Sequence, residues 1–249
     1  MRRRVHRVSK GETVVERPAL EAIILAGGLG TRLSPVVADR PKAMVESGGR
    51  PFLELLLGRM ARLSVGRVIL ATGHFHDQIE EHFGSRWKGQ EICYSVESHP
   101  LGTGGALWKA LDLATGDEVL VFNGDTYFEV DLPQLCEFHR DIGADVTLAL
   151  KPMRNFSRYG TVQIKDGRIT GFREKAIVQE GLINGGVYFM NRPAIQRYPV
   201  PEKFSLETDF LEKRVSEIKL AGFVQDGYFI DIGVPEDYAR AKRELPQRN

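Results

Sequence analysis

Cysteine is nearly absent from this chain. Cys93 and Cys136 are the two present among 249 residues, both inside apolar runs and without metal-ligand spacing. A disulfide scaffold and a cysteine-based zinc site are thereby excluded, and free thiols in a cytoplasmic protein are expected. Long hydrophobic runs are missing too: no stretch approaches 18 apolar residues, so no transmembrane helix is expected. The basic N-terminus has no apolar segment behind it, which rules out a secretory signal. Nor is there a charge excess, since 34 Lys and Arg balance 33 Asp and Glu for a net charge of +1. Such a total gives no reason to expect a nucleic-acid or membrane partner. Two glycine motifs fail: Leu33 stands where G-x-G-x-x-G needs its third glycine, and G-x-x-x-x-G-K-[ST] does not occur. No Ser/His/Asp arrangement is evident, and His74, His76 and His99 match no structural zinc spacing.

What remains is an ordinary globular composition, 42% hydrophobic and 27% charged, long enough for one large core or one domain with a smaller lobe. The chain turns on Ala22 to Lys42, AIILAGGLGTRLSPVVADRPK. Ala22-Ile23-Ile24-Leu25 reads as a buried strand. At Ala26 it breaks into Gly27-Gly28-Leu29-Gly30-Thr31-Arg32, where missing side chains let a ligand approach backbone N–H groups. A turn of this kind at a strand end is an anion site, and Arg32 and Lys42 add two cations suited to phosphate. Taken alone, a glycine-rich turn is equally well a bare strand-to-loop connection.

Residues 1–20 form a basic extension, with six Lys and Arg against two Glu in residues 1–17. A solvated tail is expected there, with a short added strand through Thr13-Val14-Val15 as the alternative. Periodicity then predicts a helix from Pro51 to Leu63, a strand Arg67–Ala71, a helix Asp77–Phe83 and a strand Glu91–Val96. A glycine-rich loop, Glu97 to Ala106, leads into a helix Leu107–Leu113, followed by a strand Glu118–Phe122, a helix Asp131–Asp141 and a strand Asp145–Leu150. This alternation predicts an α/β fold with a three-layer, mostly parallel, Rossmann-like sheet, its ligand beyond the carboxyl ends of the strands. Asp125 follows Asn123-Gly124 at such an end, where a carboxylate can face the cleft and hold a divalent cation.

After Lys151 the pattern changes to a hairpin, Tyr159–Ile164 and Arg168–Arg173 around Asp166-Gly167. Residues 21–150 are thus expected to form one half, and 151–249 a smaller sheet-based lobe of the same compact domain. Phe204 to Val215 reads as a helix capped by Ser205. Tyr228-Phe229-Ile230 runs into Asp231, with Pro235 opening a last helix.

A-G-G-x-G-T-R-L with a following P-K pair, E-x-x-P-L-G-T-G-G-A, V-x-N-G-D-T, R-Y-G, E-K, N-G-G-x-Y and F-I-D-I-G-V-P-E-D-Y together resemble the sugar-1-phosphate nucleotidyltransferases, over Ala22 to Tyr238. The resemblance implies the nucleotide-diphospho-sugar transferase fold. It also implies attack of a sugar 1-phosphate oxygen on the α-phosphorus of a nucleoside triphosphate, releasing pyrophosphate. It gives Leu25, Ala26, Gly27, Gly28, Gly30, Thr31, Arg32, Gly73, Gly102 and Thr103 to the nucleotide. Asn123, Gly160, Glu174, Lys175 and Asn184 go to the sugar phosphate, and Asp125 and Asp231 to Mg²⁺. Arg32, Lys42, Asp125 and Lys175 would carry the catalysis.

Within that family, LINGGVY, FSLE-x-DF and FIDIGVPEDY are most similar to the D-glycero-α-D-manno-heptose-1-phosphate guanylyltransferases, which implies GTP as partner. Mannose-1-phosphate guanylyltransferases and N-acetylmuramate-1-phosphate uridylyltransferases are the alternatives. A silent nucleotide-sugar sensor is a reading of another class, disfavoured by the presence of Arg32, Lys42, Asp125 and Asp231. No hexapeptide-repeat domain is expected after Asn249, and the sequence is compatible with a homo-oligomer.

Overall fold

The computed structural model describes residues 20–28 and 40–248. The N-terminal extension through residue 19, its alternative strand at Thr13–Val15, and Gly30, Thr31 and Arg32 lie outside the described residues. Chain order runs β1 (Glu21–Leu25), a 3₁₀ turn (Lys42–Met44), a small hairpin of β2 (Glu46–Ser47) and β3 (Arg50–Pro51), α1 (Phe52–Arg62), β4 (Arg67–Thr72) and α2 (His76–Phe83). It continues with β5 (Arg86–Trp87), β6 (Gln90–Val96), α3 (Gly102–Leu111), β7 (Glu118–Asn123), β8 (Thr126–Phe128), α4 (Leu132–Asp141) and β9 (Val146–Phe156). Then come β10 (Thr161–Lys165), β11 (Arg168–Arg173), β12 (Val178–Asn191), α5 (Arg192–Gln196), a π-helical turn (Leu206–Leu211), β13 (Leu220–Val224), β14 (Phe229–Asp231) and α6 (Pro235–Glu244).

Ten strands form one sheet in the order β10-β11-β13-β9-β12-β7-β1-β4-β6-β5. β7, β1, β4 and β6 run parallel, as the alternating helices require. Alternate residues of these strands feed two apolar layers. Ala22, Ile24, Val68, Leu70, Leu120 and Phe122 meet Phe52, Leu53, Leu57 and Met60 of α1 on one face. Ile23, Ile69, Val119 and Val121 meet Leu107, Ala110 and Leu111 of α3 on the other. Each large side chain so buried contributes roughly 1.5–3 kcal/mol. β1 has β4 on one side and β7 on the other, so the chain leaves its two flanks in opposite directions. The crevice this opens beyond Leu25 is where such sheets bind ligands.

The second half differs from expectation in one respect. Its strands do not make a sheet of their own: β12 inserts antiparallel between β7 and β9 and extends the same sheet. Val119 to Phe122 are buried on both faces, and their free edge would otherwise bare a row of unpaired N–H and C=O groups. Period-2 patterning reports which face a residue takes and is silent on which edge a strand joins. The β10–β11 hairpin forms as expected, with Asp166 at φ 50° and Gly167 at φ 75°.

Two boundaries also move. α3 begins at Gly102, so the second glycine cluster is the first turn of a helix rather than a loop before one. The expected helix from Phe204 is a short π-turn, capped by Ser205 Oγ accepting from Thr208 N. These two irregular ends are docked together. Gly104 N donates to Phe204 O at 3.0 Å, Phe204 N donates to Leu101 O at 3.0 Å, and Trp108 packs edge-on against Phe204 and Phe210. A Cβ on Gly104 would come within 2.2 Å of the buried Phe204 ring. Gly104→Ala is therefore expected to cost about 1–3 kcal/mol through overpacking, seen as a Tm lower by several degrees. An unchanged Tm would mean that the ring can withdraw.

Candidate functional site

Beyond the end of β1 lies a cavity of about 410 Å³, walled by Leu25 to Gly28, Gly102, Thr103, Asn123 to Asp125, Lys42 and Glu97. The strand end is fixed by Ala26 N donating to Ala71 O at 2.8 Å and Gly124 N donating to Leu25 O at 3.0 Å. Among the described residues, nothing lies within 4 Å of where a Cβ on Gly28 would be. Gly27 is different, because a Cβ there would meet Glu97 Oε1 at 2.4 Å. Gly73 borders a neighbouring hollow of about 540 Å³, which shares Gly27, Glu97 and Pro100 with the first.

Glu97 follows β6 and is not among the residues the sequence patterns singled out for a role. Its Oε2 accepts from Leu101 N at 3.0 Å, which ties the carboxylate to the entry of α3. Burial pushes its pKa up, against the lowering effect of that bond and of Lys109 and His99. Its spacing, four residues before Leu101 in the glycine-rich stretch, was the available signal.

Two carboxylates meet on the other side of the cavity. β14 pairs antiparallel with β8, placing Asp231 opposite Thr126, and Ile232 N donates to Asp125 O at 2.9 Å. Asp125 Oδ2 receives the Lys42 ammonium at 2.5 Å, and Oδ1 receives Thr126 Oγ1 at 3.2 Å. Asp231 Oδ1 accepts from Gly233 N at 2.7 Å, while Arg158 stands 3.9 Å from its other oxygen and bonds Asp237 more closely. Burial, and then the neighbouring Asp125 charge, hold the Asp231 pKa above the ordinary carboxylate value. So the structure brings Lys42, Asp125 and Asp231 together.

Other expected residues stand otherwise. Thr103 Oγ1 is engaged inside the protein: it donates to Glu207 Oε2 at 2.8 Å and accepts from Leu206 N at 2.9 Å. Asn184 is equally engaged, Nδ2 donating to the Tyr188 hydroxyl at 2.8 Å and Oδ1 accepting from Gly186 N at 3.0 Å. Gly160 lies against Arg173 O, 2.7 Å from where a Cβ would sit. Glu174 and Lys175 are exposed on the loop after β11, with Glu174 facing Glu212, whose pKa is raised by burial and then by that charge. Glu207 and Tyr188 carried no sequence signal beyond their motifs, because they meet only through the π-turn. His76 is held by Thr72 and Glu80, and His99 by Ser98 and Glu202; no group of three or more His, Cys, Asp or Glu able to hold a metal occurs among the described residues.

Comparison with known proteins places this geometry. A family model described as "Nucleotidyl transferase" matches residues 21–248. The D-glycero-α-D-manno-heptose 1-phosphate guanylyltransferase of Aneurinibacillus thermoaerophilus is 49% identical over 226 residues, covering 91% of this chain and 98% of its own. The enzyme of the same name from Campylobacter jejuni is 41% identical, covering 88% and 97%. Among solved structures, HddC from Yersinia pseudotuberculosis complexed with GMP-PN superposes with a TM-score of 0.80 at 36% identity, covering 91% and 99%. The fold expected from the sequence, a large central sheet with helices as in nucleotide-diphospho-sugar transferases, is the fold observed. The chain belongs to the nucleotidyl transferase family.

Proposed function

We propose that this protein is a guanylyltransferase that joins GTP to D-glycero-α-D-manno-heptose 1-phosphate, acting in the cytoplasm. The relatives just named support the reaction, and the observation that carries the base is Glu97, a carboxylate lying against the Gly27 backbone beside the cavity. A carboxylate only accepts hydrogen bonds. Guanine alone among the common bases offers two adjacent donors, N1–H and the 2-amino group, on one edge. Uracil offers a single N3–H flanked by two carbonyl oxygens that a carboxylate repels, which disfavours the uridylyl alternative.

In the reaction a phosphate oxygen of the sugar 1-phosphate attacks the α-phosphorus of GTP. The new P–O bond forms as the α–β bridging P–O bond breaks, and pyrophosphate leaves with its electron pair. No protein nucleophile is required, because the attacking phosphate is already ionised; catalysis is positioning and charge stabilisation. Lys42 stands at the phosphate end of the cavity, and Arg32, outside the described residues, is assigned to the same phosphates. Asp125 and Asp231 suit Mg²⁺, which takes one or two carboxylates together with substrate phosphates and waters. Their fit rests on two hard oxygen donors side by side, one of them with a raised pKa. When bound, the ion would neutralise charge on the triphosphate. Lys175 and Glu174, on their exposed loop, are assigned to the sugar phosphate and its hydroxyls.

Pyrophosphate release from four triphosphates crossed with heptose, mannose and N-acetylmuramate 1-phosphates tests the proposal directly. GTP with the heptose phosphate should give the highest kcat/KM; a preference for mannose 1-phosphate would replace the sugar, and one for UTP the base. Glu97→Gln should lower the preference for GTP over ITP, which lacks the 2-amino group, by about tenfold, since a hydrogen bond to a charged group is worth roughly 1.5–3 kcal/mol. An unchanged GTP/ITP ratio would remove Glu97 from base recognition.

Asp231 yields a stability prediction. Its folded pKa is raised, so the native state holds the proton more tightly than the unfolded chain. Stability then falls as pH rises from the ordinary carboxylate value through the raised one, and stays lower above it. Asp231→Asn removes that penalty while keeping an acceptor for Gly233 N. The metal-free variant should melt above the wild type at pH 7 and below it by no measurable amount at pH 3, while pyrophosphate release is lost. A lower Tm at pH 7 would show that the charge is compensated without a cation.

A further inference from the structure

A separate hollow of about 300 Å³ lies between the end of β9, β14 and α6. Among the described residues, its lining shares none with the nucleotide cavity and includes none of those assigned to the sugar phosphate or the metal. It also opens on another face. Lys151 and Met153 follow Ala149 at the strand's period of two, which turns them to the side where Tyr238 and Ala241 of α6 pack. The π-turn, with Glu174 facing Glu212 just past it, packs on the opposite side.

Three rings wall the hollow. Tyr159 stands edge-on to Phe229 at 5.9 Å and tilted against Phe156 at 6.5 Å. Three cations rim it, Lys151, Arg158 and Arg240, against one lining carboxylate, Asp237. That carboxylate is shared: Oδ2 receives Arg158 Nη1 at 2.5 Å, and Oδ1 stands 3.3 Å from Arg240 Nη1. It holds two guanidinium groups together and can neutralise only one. The next carboxylates are beyond hydrogen-bond distance, with Asp231 at 3.9 Å from Arg158 Nη2 and Glu244 at 3.6 Å from Arg240 Nε. Lys151 pairs with Asp226, whose side chain is 79% exposed, and so open a pair contributes little.

This rim suits an anion with several acceptor oxygens. Guanidinium groups match phosphate in shape as well as charge. The aromatic walls suit a ring, with the Arg158 guanidinium already lying over Tyr159 at 5.5 Å. The volume is at the small end for ligand pockets and has room for one ring and one phosphate.

We propose that this hollow is a further ligand site, apart from both substrate sites, that binds a small phosphate monoester carrying one ring. The phosphate sits among Arg158, Arg240 and Lys151, and the ring against Tyr159 and Phe229.

Isothermal titration of the full-length protein in EDTA tests this, with phenyl phosphate and glucose 6-phosphate as probes. The tighter of the two shows whether the ester comes from the planar, nucleotide-like source or the sugar source. GDP-D-glycero-α-D-manno-heptose fills both substrate sites and is too large for the hollow, so an excess of it should move the probe's Kd by less than about twofold. Lys151→Met should weaken the probe by about tenfold, the loss of one charge-assisted bond, with GTP binding unchanged. Asn155, at φ 50°, lines the same rim. Asn155→Asp keeps a side chain that tolerates this left-handed backbone and adds a negative charge, so it should weaken the probe at least as much, even where Lys151→Met fails to fold. No binding of either probe at millimolar concentration, displacement by the GDP-sugar, wild-type affinity in Asn155→Asp, or benzoate binding as tightly as phenyl phosphate would each overturn the proposal. A protein that binds the probe but not the GDP-sugar would uphold this site and overturn the reaction proposed above.

Discussion

The backbone bond from Ile232 N to Asp125 O, at 2.9 Å, forces two carboxylates into one corner of the cleft. Burial, and then the neighbouring Asp125 charge, raises the cost of ionising Asp231. The fold keeps them there because the ribbon of β8 and β14 is braced from several sides. Glu129 N donates to Tyr228 O, the Arg59 guanidinium from α1 reaches the carbonyls of Phe128 and Val130, and Gly227 lies so near Glu129 O that no side chain would fit. Lys42 and Gly233 N offset part of the repulsion. The apolar framework of α1, β8 and β14 bears the cost of the repulsion that is left.

Everything else about the cavity follows from where that corner sits relative to β1. Because the chain leaves β1 toward β4 on one flank and reaches β7 on the other, the strand end opens into a crevice instead of a packed loop. The 3₁₀ turn carrying Lys42 and the strand end carrying Asp125 face each other across it. On the far wall, α3 could not start at Gly102 without the π-turn docked upon it. The docking spends the Thr103 hydroxyl and the Phe204 carbonyl on holding the protein together, which leaves backbone, and little side chain, to meet a ligand on that wall.

Much of this was legible in the sequence. β1, β4, β6 and β7 are short apolar runs ended by glycine or polar residues, and such runs can be little else once helices of amphipathic period separate them. That Asp125 and Asp231 stand at strand ends was legible for a similar reason, since each closes a short apolar run. Sheet order was not. β12 pairs with β7 across more than fifty intervening residues, and its apolar stretch would suit any buried position. The glycines of Gly102 to Gly105 were legible as special but not as to why: steric room for a ligand and steric room for Phe204 leave the same mark on a sequence. Nor could the Tyr188–Glu207 contact be read, because an α-helix drawn from Phe204 would turn Glu207 to a different face than the π-turn does.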